Sequence, residues 1–421
     1  MSSESAFRAP PLLDNLQPKG TDPILNLKTL FDSDIRSHKV NAAIGEISDD
    51  LGQIWTPLAV QIAKMRLAQK DLVSGANRGY LVPEGDLLWV GNDIFLRGTA
   101  KMIFGRYFED LFNHDKLAAI GTIGASGGFS TIIDSLTAHY GDKIPPILMG
   151  TPHYGNHSLM MHNRKINFTT YNQVKDGEFD IDSAIEAIQK TNRGTIVLFH
   201  GGETHNPTGI NPKTQEQWIQ LAQATKAANS VALFDFPYIG LGKGIIEDTE
   251  AIRIFMDHEI PVVAIISYSK NAALYNQRTG ALLIPTADKV SALNMAQLLN
   301  ATLRNYVSSP ASFGEEIMAE IFSDPDLMSE WENDLTYMSL LLKHRREIIS
   351  SYLPENNAKI IREGVGIFSL LPISPDGAKY LREQYAIYIL DNGRVNIGGV
   401  TENQLEHFGQ GLKDALSQFP K

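Results

Sequence analysis

The chain has 421 residues with 37 Lys and Arg against 48 Asp and Glu, a formal net charge of −11. That length exceeds what one hydrophobic core usually serves, so two domains or one large domain with an appendage are expected. The acidic balance argues against a general nucleic-acid backbone binder, and the absence of cysteine excludes disulfide and thiolate chemistry. Met1 to Pro11 lack the apolar core of a secretory signal, and no run approaches the ~18 apolar residues of a membrane span, so a soluble cytoplasmic protein without nucleic-acid or membrane partners is expected.

Residues 1–22 cluster Pro and Ser without a period and read as a tail or as an arm that orders on a neighbour. Thr56-Pro57 has the form of an N-cap followed by a first-turn proline, opening a helix through Leu58, Ile62 and Met65. Phe129, Ile132, Ile133 and Leu136 recur at helical spacing, predicting a helix over Ser126–Tyr140 behind the glycine-rich Ala125-Ser126-Gly127-Gly128. Thr195–His200, Val231–Phe236 and Val262–Ser267 are nearly continuous apolar runs, as strands buried on both faces of a parallel sheet require. Between the first two, Thr214 and Gln217 form a capping box before a helix with Trp218, Leu221, Ala222 and Thr225 on one face. Strands alternating with helices predict an α/β fold with a mostly parallel sheet. Ser323-Asp324-Pro325 opens a long helix to about Tyr352. Ala386–Leu390, Asp391-Asn392-Gly393 and Arg394–Ile397 then read as strand, tight turn and strand, and a last helix covers about Glu402–Ser417.

Five stretches can carry chemistry. In Ser267-Tyr268-Ser269-Lys270-Asn271, with Arg278 downstream, the lysine follows a buried strand. Partial desolvation and a neighbouring cation there would lower its pKa and make the amine nucleophilic; alone it could equally be a solvated lysine. Two histidines flank a glutamate in His200-Gly201-Gly202-Glu203-Thr204-His205-Asn206-Pro207-Thr208-Gly209, but the spacing is not that of a helical zinc site and the glycines and proline oppose a helix, so no metal is expected. Asp235, at the end of Val231–Phe236, is either capped locally or poised against a ligand. Unpaired amides at the start of the Ser126 helix could seat a phosphate. Arg394, beside the Asp391–Gly393 turn, taken alone reads as a surface arginine.

In this order and at this separation the stretches resemble the aspartate/aromatic amino-acid aminotransferase family, of the type I fold of pyridoxal-phosphate (PLP) enzymes. The match runs from Thr21-Asp22-Pro23-Ile24-Leu25 to Gly393-Arg394-Val395-Asn396, and is most specific at His205–Gly209, Asp235-x-x-Tyr238, Ser267–Lys270 and Asn276-Gln277-Arg278. The resemblance implies an α/β fold: a large domain of residues 59–337 on a mainly parallel seven-stranded sheet, a smaller α/β domain of residues 23–58 and 338–421, and an N-terminal arm of residues 1–22. It implies that Lys270 carries the cofactor covalently and moves the proton between substrate Cα and cofactor. Asp235 would pair with the pyridine nitrogen, and Tyr238 and Asn206 with the ring's 3′-oxygen. Ala125, Ser126, Gly127, Ser267, Ser269 and Arg278 would cup the phosphate, joined by Tyr80 from a partner subunit, with Tyr154 stacked on the ring. Arg394 would grip the substrate α-carboxylate beside Gly45, and Arg304 a side-chain carboxylate from across a homodimer, although on a helix it could equally be a surface residue.

Four positions depart from the family pattern: Tyr154 stands where tryptophan is common, Gly127 for a threonine, Ala43 for a glycine and Gly79 for an asparagine. The implied reaction is transfer of an amino group from an L-amino acid, aspartate or aromatic, to a 2-oxo acid, with 2-oxoglutarate and glutamate as the shared pair. The alternatives are another PLP enzyme of this fold, such as a β-lyase or decarboxylase, and a non-catalytic PLP-binding protein.

Overall fold

The computed structural model describes residues 23–75, 79 and 88–421. The proposed arm and Tyr80 lie outside the described residues. Eight strands form the main sheet: β1 (Trp89–Val90), β2 (Leu117–Ile123), β3 (Ile147–Thr151), β4 (Phe168–Asn172), β5 (Ile196–His200), β6 (Val231–Phe236), β7 (Val262–Ser267) and β8 (Thr279–Pro285). Their order is β1-β2-β8-β7-β6-β5-β3-β4. Seven are full strands, and β1 adds a two-residue edge beyond the seven expected, because only Trp89 and Val90 reach β2 in register.

All pairs are parallel except those made by β8, which runs antiparallel to both β7 and β2. Segment 268–278 between β7 and β8 falls short of the dozen or so residues that a parallel crossover needs, so the chain turns back. The apolar runs become central strands because helices cover both faces, leaving β5 and β7 buried throughout. Separate apolar clusters fill the two faces, one around Phe199, Phe234 and Phe255, the other around Phe129, Ile133 and Ile265. A further cluster, built from Val40, Ala42 and residues 349–416, has its own core away from the sheet.

Four helices frame or brace the strand ends: α1 (Leu58–Ser74), α2 (Gly124–Tyr140), α3 (Gln215–Ala227) and α4 (Pro325–Ser351). In α3 the Thr214–Gln217 capping box forms and Trp218, Leu221, Ala222 and Thr225 are buried, as expected. Asp324 caps α4 through the amides of Asp326 and Leu327, with Pro325 in the first turn. The C-terminal helix, Leu405–Gln418, follows a 3-10 turn over Glu402–Gln404 that Thr401 caps. Among the described residues no helix is long and apolar enough to cross a membrane.

Three local expectations are corrected. In α1 the buried face is Ala59, Val60 and Ala63, whereas Leu58 and Met65 are exposed. Small residues let α1 lie close to its helical neighbours, and Asp334 of α4 accepts from the Ala59 amide while Thr56 makes no cap. Helix α2 begins at Gly124, so the glycines belong to its first turns. A Cβ on Gly127 would lie 2.5 Å from Ile123 Cγ1, and one on Gly128 3.0 Å from Ile265. The C-terminal strands do not pair with each other: Ile387–Tyr388 lies parallel to Val40–Asn41, and Arg394–Asn396 antiparallel to Phe368–Leu370. The turn between them stands, with Gly393 at φ 88° donating to Leu390 O at 2.9 Å. Strands buried all round can take partners from any part of the chain, and a local pattern carries no trace of which.

Candidate active site

The C-terminal ends of the parallel strands are where ligands of such sheets sit, and the groups converge there. His200 ends β5, Asp235 lies near the end of β6, Lys270 follows β7, and α2 starts directly after β2. With Arg394, from the C-terminal part of the chain, they line one cavity of about 250 Å³.

Asp235 is 5 % exposed. Its Oδ2 lies 3.1 Å from His157 Nε2, whereas Oδ1 is buried without a hydrogen-bond partner among the described residues. Burial works against its charge, but the His157 hydrogen bond and the positive field around it prevail and lower its pKa, so the carboxylate stays ionised. His157 stacks on Phe129, with centroids 5.1 Å apart, and meets Tyr154 edge-on at 5.3 Å. Both ring nitrogens of His200 are buried and have no hydrogen-bond partner among the described residues, and burial lowers its pKa to about 4, which keeps the imidazole neutral. His157, His200 and Asp235 bring possible ligand atoms within 4.8 Å of one another. This grouping was invisible in the spacing of the His200–His205 motif, whose second histidine instead bonds Thr208 at 2.8 Å.

Lys270 Nζ stands 5.7 Å from the centre of the Tyr238 ring. Burial, then the Arg278 charge, lowers its pKa to about 8 against the opposing pull of Asp235. At pH 7 about a tenth of the amine is therefore unprotonated, against well under about a thousandth for a lysine of ordinary pKa. Tyr238 is itself buried, which pushes its phenol well above the usual range and keeps it a neutral donor.

At the other end of the cavity lies an anion seat. Ser269 accepts from Arg278 Nη1 at 3.2 Å and from Ser267 Oγ at 3.1 Å. Arg278 also reaches back to Ile123 O at 3.4 Å, across Gly124. Gly124 has φ +73°, and a Cβ there would come within 2.6 Å of the guanidinium, so the strand-to-helix turn needs glycine. Ser126, bonded by Asn156 Nδ2 at 3.4 Å, completes the rim together with the first-turn amides of α2.

Arg394 is 4 % exposed. Nη2 donates to Ala43 O at 2.6 Å and Nη1 to Asn206 Oδ1 at 3.3 Å, while Nε is buried without a partner among the described residues. The guanidinium lies 4.3 Å over the Phe368 ring. Two further residues of the sequence reading lie off this cavity, Arg304 being one that the resemblance sends to a partner subunit's site. Gly127 is buried and does not line the cavity, and Arg304 is exposed on the Lys289–Val307 helix, away from it. Ile24 and Pro237 line the cavity from within the stretches Thr21–Leu25 and Asp235–Tyr238, whereas Phe129, His157, Met160 and Phe368 line it without a motif that assigns them a role. His157 alone left a signal, since it follows Tyr154 by three residues at a helix start and so shares its face.

These features fit PLP. A buried carboxylate oxygen lacking a donor suits a protonated ring nitrogen, a cup of hydroxyls, amides and Arg278 suits a phosphate, and a neutral-prone amine stands in the same cavity. Together with the sheet topology they define an enzyme of the type I PLP fold.

Comparison with known proteins agrees. A profile described as aminotransferase class I and II matches residues 106–412. The aspartate aminotransferase of Escherichia coli is 30% identical over 405 residues, 94% of this chain and 97% of the relative. The crystal structure of the aromatic-amino-acid aminotransferase from Burkholderia pseudomallei, covalently bound to pyridoxal phosphate, superimposes with a TM-score of 0.86 at 26% identity, covering 99% of this chain and 100% of that one. The cytoplasmic aspartate aminotransferase of Saccharomyces cerevisiae gives 0.87 at 26% identity, over 96% and 98% of the two chains. The chain belongs to the aminotransferase class I and II family, and it is a PLP-dependent aminotransferase acting on amino acids and 2-oxo acids.

Proposed function

We propose that the enzyme exchanges the amino group between aspartate or an aromatic L-amino acid and 2-oxoglutarate. The relatives named for aspartate and for aromatic amino acids support the pairing. The observation that carries the reading is the placement of a free Asp235 Oδ1, the Lys270 amine and the Arg394 guanidinium around one cavity. PLP supplies an aldehyde that takes up amines and a ring that accepts an electron pair. Lys270 serves first as nucleophile and afterwards as the base that carries a proton from the substrate Cα. Asp235, ionised and buried, holds a proton on the ring nitrogen. Asn206 and Tyr238 donate toward the ring oxygen, Tyr154 covers the ring face, and Ala125, Ser126, Ser267, Ser269 and Arg278 hold the phosphate. Arg394, flanked by Gly45, takes the α-carboxylate in a two-pronged grip that its planar fork allows.

The same reading makes the protein a cytoplasmic homodimer, the small domain comprising residues 23–58 and 338–421 and the large one residues 59–337. The separate apolar cluster of residues 40–42 and 349–416 supports the division. Arg304 and Tyr80 would then enter the neighbouring site. Incubation with 2-oxoglutarate and either aspartate or tyrosine should yield glutamate; pyruvate, ammonia or carbon dioxide without glutamate would point to a lyase or decarboxylase instead.

Two substitutions separate the carboxylate grips. Arg394→Lys keeps the charge and loses the fork, so KM for every amino acid should rise about a hundredfold while cofactor binding is unchanged. Arg304→Ala should raise KM for aspartate and 2-oxoglutarate by about tenfold or more and that for tyrosine by less than about twofold. Equal losses for both substrate types would remove Arg304 from the site.

A further inference from the structure

Helix α4 carries two consecutive arginines that are almost wholly buried, Arg345 at 0 % and Arg346 at 2 % exposed. Burying a guanidinium is costly unless most of its donors are met, and of the donors of these two arginines only Arg345 Nε lacks a partner among the described residues. No carboxylate pairs with Arg346 among the described residues. Its Nε and Nη2 donate to Gly366 O at 3.2 and 2.8 Å, Nη1 to Ile361 O at 2.8 Å and Ser369 Oγ at 2.7 Å, and Nη2 to Phe368 O at 2.6 Å. Burial lowers its pKa only to about 9, so the cation persists at neutral pH.

Arg345 reaches elsewhere. Nη1 donates to Gly398 O at 3.0 Å, and Nη2 to Ser48 O at 3.0 Å and Asp50 Oδ1 at 3.2 Å. Ser48 N in turn donates to Gly398 O at 2.8 Å, and Asn396 Nδ2 to Glu46 O at 2.7 Å. One arginine thus fastens segment 361–369 to α4, and the other fastens segment 44–50.

Those segments form the two walls of the Arg394 site. Phe368 lies beneath the Arg394 guanidinium, and a Cβ on Gly45 would come within 3.0 Å of Phe368 Cζ. Val365 N donates to Gly209 O at 2.8 Å, tying the same wall to the loop that carries Asn206, which bonds Arg394. Neither Arg345 nor Arg346 lines the cavity.

We propose that Arg345 and Arg346 are positioning residues that set the gap between the Gly45 and Phe368 walls and thereby aim Arg394 at the substrate carboxylate. The proposal rests on Arg394 being the grip for that carboxylate. Backbone carbonyls, which supply most of the acceptors here beside Ser369 Oγ and Asp50 Oδ1, suit such a task. They fix the course of the chain, and a lysine's tetrahedral ammonium cannot satisfy four acceptors spread around a plane.

The test uses steady-state kinetics on the PLP-loaded enzyme. Arg346→Gln should raise KM for amino acid and 2-oxo acid alike by about tenfold, with kcat within about threefold and the cofactor spectrum unchanged. Arg346→Lys should fall between it and wild type. Ser369→Ala removes one acceptor of Arg346 without disturbing the helix, and should give the same split at about two- to threefold even where Arg346→Gln does not fold. In a double-mutant cycle, Arg346→Gln should add little to Arg394→Lys, since both act through one contact. A lower melting temperature with wild-type KM in Arg346→Gln and Ser369→Ala, or additive effects in the cycle, would overturn the proposal while leaving the role of Arg394 intact. An Arg394→Lys enzyme of normal KM would instead overturn that role, and the proposal with it.

Discussion

Lys270→Ala enzyme should lose at least about 10⁴-fold in turnover and still bind PLP. On the proposed reading two functions go with one side chain, the amine capturing the aldehyde and later carrying the proton, and removal of a general base alone costs about 10²–10⁴. The phosphate seat does not depend on it, since Ser267, Ser269, Arg278 and the start of α2 hold one another through their own hydrogen bonds. Borohydride reduction of the loaded wild-type protein should leave the label on the peptide containing Lys270 and nowhere else. A pH dependence accompanies this. The amine's pKa lies at about 8, lowered by burial and the Arg278 charge, and only the neutral amine attacks. Below about pH 8 the rate of PLP capture by the apo-protein should therefore rise nearly tenfold per pH unit, levelling off above it. A rate still climbing toward pH 10 would mean an ordinary solvated lysine.

The parts of this enzyme legible in the sequence are those whose signal is local. Val231–Phe236 and Val262–Ser267 form strands with the predicted bounds because a strand buried on both faces must be apolar at every step. Thr214 and Gln217 cap α3 reciprocally because their spacing allows it in any context. What failed depended on distant partners. Helix α1 buries Ala59 and Ala63 in preference to Leu58 and Met65 because its neighbours come close, and helix periodicity weighted by size picks the wrong face. Ile387–Tyr388 and Arg394–Asn396 pair with strands far away in the chain. In the site, Lys270, Asp235, Arg278 and Arg394, the charged groups that line the cavity, lie in stretches that stand out in the sequence, whereas His157, which bonds Asp235, does not. Phe129, Phe368 and Met160, which shape the cavity by bulk, look like any other core residue until the fold places them.

Asp235→Asn separates charge from shape at the buried carboxylate. Asparagine fills the same volume and can still accept from His157 Nε2, so the fold and cofactor binding should survive. What disappears is the negative charge facing the cavity through Oδ1. A preorganised charge in a site shielded from water is commonly worth about 10²–10³ in rate, and kcat should fall by that factor with every amino acid. The amine should respond in the opposite sense. Asp235 raises the Lys270 pKa against the larger effects of burial and Arg278, so its loss moves the amine's titration below about 8. The Asp235→Asn apo-protein should therefore capture PLP faster than wild type at pH 7 while turning over far more slowly. Capture and turnover falling together would place the carboxylate's effect in the architecture of the site, since loss of its charge alone drives the two rates apart.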